Sequence, residues 1–87
     1  MFIIMVYDVN QKRVAKVLKK GRKYLYWVQN SVLEGEISEA NFKKLKMELE
    51  KIINEDEDSV IFYTFRTTKY SKRESMGIKK GGDDNII

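Results

Sequence analysis

Asp8 is the one acid among the first 33 residues. It ends the apolar run Phe2-Ile3-Ile4-Met5-Val6-Tyr7 and precedes seven cations (Lys12, Arg13, Lys16, Lys19, Lys20, Arg22 and Lys23), with no acid between positions 11 and 23. A carboxylate in that setting can hold Mg²⁺ or Mn²⁺, which keep several waters and take one or two protein carboxylates plus phosphate oxygens. A two-fold pair of chains could bring two Asp8 carboxylates to one cation without any second motif. Such a cation activates water and stabilises charge on an attacked phosphodiester, while Lys and Arg bind the strand. The alternative is that Asp8 opens a turn or assists a helix cap at Asn10, and on position alone that role is the simpler one. Composition removes most competing chemistry. Without His or Cys there is no imidazole base, thiol nucleophile, disulfide or ordinary zinc site. Catalysis is left to carboxylates, Lys, Tyr or a cation on oxygen ligands.

Other candidates carry a plainer reading beside the chemical one. Tyr7 and Trp27 could stack on bases, as aromatics do in single-strand binders, but core packing for Tyr7 and partly buried sheet or dimer packing for Trp27 are simpler. Glu34 and Glu36 share a strand face and could form a second acidic site; solvated edge charges are the simpler alternative. Glu55-Asp56-Glu57-Asp58 lacks the glycine and spacing of a calcium loop, reads as a loop that cannot pack, and receives no function. The formal net charge of +4 conceals a segregation. Residues 66 to 82 carry six cations against Glu74, whereas residues 24 to 65 carry nine acids against four lysines. Two basic blocks around an acidic middle suit a polyanion-binding face as well as a merely solvated one.

The elements that must position these residues follow from pattern. Phe2 to Tyr7 reads as a strand buried on both faces. Asn10 can cap a helix over Gln11 to Lys20 with Val14, Val17 and Leu18 as its apolar stripe, stopped by Gly21. Strands follow over Tyr24 to Val28 and Ser31 to Ile37, with a turn or bulge at Gln29-Asn30. Ser38 caps a second helix, whose Phe42, Leu45, Leu49, Ile52 and Ile53 face one way and which ends near Asn54. Val60 to Phe65 is the last clear strand. The order β-α-β-β-α-β predicts an α+β, ferredoxin-like antiparallel sheet with both helices on one face. We therefore expect a ferredoxin-like domain over 1–66 and a C-terminal tail over 67–87, with a strand near 75–79 and a flexible end. Strands apolar on both faces leave the second face in need of a cover, which predicts a homodimer or a folded-back tail. The tail could also add its strand to the partner's sheet edge.

Three segments in the right order resemble a known family: Met5-Val6-Tyr7-Asp8-Val9, Trp27-Val28-Gln29-Asn30-Ser31-Val32-Leu33-Glu34-Gly35, and Asp58-Ser59-Val60-Ile61-Phe62-Tyr63. Together they are similar to the small CRISPR-associated adaptation nuclease, the Cas-two family, across residues 2 to 66. The resemblance implies a ferredoxin-like homodimer, a metal-dependent endonuclease on single-stranded RNA or double-stranded DNA, and a bridge between dimers of the Cas-one integrase in spacer acquisition. It places the metal-binding and catalytic acid on Asp8, and a basic partner on Arg13 or Lys12. Two positions depart from the family pattern: Trp27 stands where many relatives have Arg, and Leu33 where many have Phe. Arg22 lies one turn earlier and could supply charge. Lys12, Arg13, Lys16 and Arg22 are the expected nucleic-acid-binding set, with Mg²⁺ (or Mn²⁺) the expected cofactor.

Three functions compete: the endonuclease just described, a non-catalytic duplex-DNA-binding bridge to the integrase, and a toxin-type ribonuclease of the VapD kind. An RNA-recognition module fits less well, because its third-strand glycine and aromatic pattern is missing. No apolar run is long enough for a bilayer and no signal peptide is evident. The expected setting is therefore cytoplasmic, without a membrane partner.

Overall fold

β1 (Phe2–Asp8), α1 (Gln11–Gly21), β2 (Tyr26–Gln29), β3 (Val32–Glu36), α2 (Glu39–Glu50), β4 (Ser59–Thr67) and β5 (Tyr70–Gly77) follow one another in a computed structural model, which describes residues 1–67 and 70–78. The strands form one antiparallel sheet in the order β2-β3-β1-β4-β5. The first four strands and both helices make the expected ferredoxin-like arrangement. Alternation along β1 sorts the two faces. Ile3, Met5 and Tyr7 are buried with Leu33, Val60 and Phe62 in a single cluster that also takes Val17 of α1 and Phe42, Leu45 and Leu49 of α2. The Phe42 and Phe62 rings meet edge to face at 5.1 Å, a favoured aromatic geometry. Each fully buried side chain of this kind contributes roughly 1.5–3 kcal/mol, and the cluster is small.

The opposite face is also apolar. Register puts Phe2 beside Phe65, Ile4 beside Tyr63, and Val6 between Val32 and Ile61, and all seven are only partly buried. Both helices lie on the other side, so among the described residues this sheet face has no helical cover.

Differences from the sequence pattern have local causes. α2 stops at Glu50 rather than near Asn54, because the Asn54 amide is taken by the Asp58 carboxylate at 2.8 Å instead of a helical carbonyl. β2 begins at Tyr26, since Tyr24 and Leu25 still donate their amides to the Gly21 carbonyl at the end of α1. The hairpin turns at Asn30-Ser31, with Asn30 at φ 40°, a conformation that Asn tolerates. The irregularity lies one step earlier, between Trp27 and Gln29. Val14, expected in the α1 stripe, is 36% exposed.

The tail strand also differs. β5 starts at Tyr70, before the expected 75–79, and pairs with β4 of the same chain from Ser59↔Gly77 to Thr67↔Tyr70. The polar stretch Ser71-Lys72-Arg73-Glu74 has no apolar alternation to announce a strand. Pairing with the β4 edge satisfies its backbone instead. Gly77 ends β5 at φ 85°, where a Cβ would overlap the carbonyl oxygen of Asp58; the next amide, Ile78, donates to that same oxygen at 2.9 Å. The expected flexible end from residue 79 onward lies outside the described residues.

Candidate active site and nucleic-acid interface

Asp8 is the last residue of β1 and is exposed. By alternation it belongs to the same face as Phe2, Ile4 and Val6, and its register partner is Ser59 of β4. The open apolar face therefore ends in a carboxylate. The α1 cap is made by Asn10, whose side-chain oxygen accepts from the Lys12 amide at 3.0 Å.

The short connection after Asp8 is fixed by a group that the sequence pattern assigned to an unpacked loop. Asp58 is fully buried. Its Oδ1 accepts from the Asn10 amide at 2.8 Å and from Arg13 Nη2 at 3.1 Å, while Oδ2 accepts from the Asn54 amide at 2.8 Å and Arg13 Nε at 2.6 Å. Four donors, two of them from one guanidinium, compensate the burial of the charge. Glu57 adds contacts to Asn10 Nδ2 at 3.1 Å and Arg13 Nη2 at 3.4 Å. The signal for this cluster was present: an acid adjoins each of two apolar runs, Tyr7-Asp8 and Asp58-Ser59, and antiparallel pairing brings those ends together. One acid faces out and the other in.

Arg13 is thus held inward, with 16% of its side chain exposed, where the sequence pattern expected a nucleic-acid contact. Lys12, Lys16 and Arg22 are exposed, and among the described residues none of the three forms an ion pair. Lys12 and Lys16 are one helical turn apart and share a face of α1. Arg22 follows the helix as its C-cap and lies 5.9 Å from the centre of the Trp27 ring. Glu34 and Glu36 both sit on β3, and Glu36 pairs with the N-terminal ammonium at 3.4 Å.

A cation at Asp8 fits the donor set only in a limited sense. Among the described residues no three Asp or Glu side chains gather into a metal-binding group. One chain offers Asp8 as a single carboxylate, within the one or two that Mg²⁺ commonly takes, and a second would come from a second chain. No helix among the described residues is long and apolar enough to cross a membrane.

The Arg13 guanidinium, aided by the Asn54 and Asn10 amides, holds the Asp58 carboxyl down to about 2 against the opposing effect of burial. The folded-state value lies below the ordinary 3.8, so the stabilisation is complete above about pH 4 and is lost as pH falls toward 2. We expect the melting temperature to drop across that window, and a Asp58→Asn variant to lack this component in the same thermal series.

The chain matches the family model described as CRISPR associated protein Cas2 over residues 1–73. It is 64% identical, over the full length of both chains, to a Dictyoglomus turgidum protein named CRISPR-associated endoribonuclease Cas2, and 58% identical, again over both full lengths, to a Thermotoga maritima protein of the same name. Among solved structures, one Cas2 crystal structure superposes with a TM-score of 0.74 at 41% identity, covering 100% of this chain and 92% of the other. The Streptococcus pyogenes Cas2 structure gives 0.70 at 38% identity over 75% of this chain and 86% of the other. With its fold and its full-length similarity in agreement, the chain belongs to the CRISPR-associated Cas2 family.

Proposed function

We propose that the chain is a divalent-cation-dependent endoribonuclease of a CRISPR system, working as a two-fold dimer with Asp8 as its catalytic and cation-binding carboxylate. The observation that carries this reading is the placement of Asp8 at the rim of an apolar sheet face with no helical cover among the described residues. If a second copy covers that face, the two Asp8 carboxylates can approach each other across the axis. The relatives named as endoribonucleases support the substrate class. Mg²⁺ or Mn²⁺ at the paired carboxylates would supply Lewis-acid polarisation of the phosphate and a more acidic water. The chain's own residues do the rest. Asp58, through the Asn10 amide and Arg13, fixes the backbone that follows Asp8. Lys12, Lys16 and Arg22 neutralise the phosphates of the bound strand.

A second reading is favoured by the unpaired cations of α1: a duplex-DNA-binding bridge that joins the Cas-one integrase in spacer acquisition, with Asp8 serving structure. The two readings part in one experiment. Cleavage of single-stranded RNA and of blunt duplex DNA is measured after chelation and again after Mg²⁺ is restored. The nuclease reading expects RNA cleavage to vanish with chelator and return with Mg²⁺; cleavage that persists under chelator overturns the cation's role. No cleavage in either state, with duplex binding that falls steeply with salt, replaces the nuclease by the bridge.

A further inference from the structure

Trp27 is half exposed on the edge strand β2, yet it is held in place. Its indole Nε1 donates to the Asn30 carbonyl at 2.9 Å within its own hairpin, so the ring has a fixed orientation without belonging to the core. Register puts Trp27 beside Leu33, and Leu33 beside Met5, both buried on the helix side. The open face that a second copy would cover is the other one, so dimerisation does not account for this exposure. Beside the ring stands Arg22, exposed, at 5.9 Å from its centre. A cleft of about 570 Å³ runs between Arg22, Tyr26, Trp27 and Glu36, and Glu36, the one acid lining it, is paired with the N-terminal ammonium.

We infer that Trp27 and Arg22 form a stacking subsite for an unpaired nucleobase of a single-stranded nucleic acid. A fixed, half-open indole offers a π-face that any base can cover, and an adjacent guanidinium is suited to the phosphate or to the far side of the base. Bases within a duplex are already stacked on both sides, so the subsite selects single strands. Asn30 adjoins Ser31, whose carbonyl accepts from the Tyr7 amide at 3.1 Å, so the indole's anchor and Asp8 lie at the same end of the sheet, with Trp27 and Asp8 on opposite faces. The inference rests on the nucleic-acid reading above but not on cleavage.

Trp27 is the only tryptophan, which gives the test a direct readout. With chelator present to stop cleavage, the intact protein is titrated with oligouridylate or with a blunt DNA duplex while indole fluorescence and oligonucleotide anisotropy are followed. Oligouridylate is expected to quench the indole and the duplex is not. Trp27→Ala should weaken single-strand binding about tenfold, Trp27→Phe should restore most of it, and duplex affinity should stay within error for both. Absence of quenching, whether the strand binds elsewhere or not at all, overturns the subsite, as does equal single-strand affinity in Trp27→Ala. Because binding is read without turnover, failure here leaves the nuclease reading standing, and failure of cleavage leaves the subsite standing.

Discussion

On the proposed mechanism, Asp8→Asn is expected to lower Mg²⁺-supported cleavage of single-stranded RNA by about a thousandfold while leaving the melting temperature and the proposed dimer intact. Asn preserves the size and shape of the side chain, but it removes the charge and replaces one acceptor oxygen by an NH2 donor. Asp8 is exposed at a strand end, the α1 cap belongs to Asn10, and the following connection is held by Asp58. The helix cap and the connection that follow Asp8 are thus made by other side chains. A hard cation depends heavily on the charge at position 8, since Mg²⁺ exchanges its waters reluctantly and binds carboxylate far better than amide. Losing several kcal/mol of transition-state stabilisation corresponds to the thousandfold figure. Asp8→Glu keeps the charge but shifts it by a methylene, so it should fall between the two. Duplex binding should be retained in Asp8→Asn, because one fewer negative charge beside α1 favours a polyanion. Equal cleavage by mutant and wild type would remove Asp8 from the chemistry.

Much of this site could be read from residue types and spacing. Apolar runs at Phe2 to Tyr7 and Val60 to Phe65, with caps at Asn10 and Ser38, suffice for the element order, because strand period, helix period and cap chemistry are local signals. The position of Asp8 follows directly, since a strand end needs no partner to be located. What stayed hidden depends on long-range pairing. Asp58 is the last of four consecutive acids, and its burial follows only once β1 and β4 lie side by side and bring Arg13 within 2.6 Å of it. The pairing of Arg13 with Asp58 was hidden for the same reason: a cation in a basic helix looks like its neighbours until its partner is known. β5 was legible only in part, because an edge strand held by backbone pairing need not alternate, whereas Gly77 marks its end through a close approach to the Asp58 carbonyl.

Asp58→Ala is expected to destabilise the chain by about 3–5 kcal/mol, the loss typical when one member of a buried ion pair is removed. A domain of this size has a total of roughly 5–15 kcal/mol, so the melting temperature should fall by about 15 °C or more. The loss is large because the carboxylate serves three separated segments. Truncation orphans the Asn10 and Asn54 amides and leaves the Arg13 guanidinium only its 3.4 Å contact with Glu57, and these groups belong to the β1–α1 connection, the chain after α2, and α1 itself. Being buried, the pair is poorly screened, and high salt should not restore the loss. Arg13→Ala should destabilise for the complementary reason, leaving a buried carboxylate with only two amide donors. Its signature is a pH profile: without the guanidinium the Asp58 carboxyl loses the chief cause of its lowered value, and the acid transition moves to higher pH. The double variant should melt well above the temperature obtained by adding the two single losses, since the second substitution removes a group already orphaned by the first. Strictly additive losses would mean that the two side chains do not act on each other. The cluster also bears on catalysis, because the Asn10 amide lies two residues past Asp8. At a temperature where Asp58→Asn is still folded, kcat should fall with little change in KM, as expected when a loosened connection misplaces Asp8 without altering the lysines proposed to hold the strand. A change in KM alone would assign Asp58 to substrate binding through α1 instead of to the positioning of Asp8.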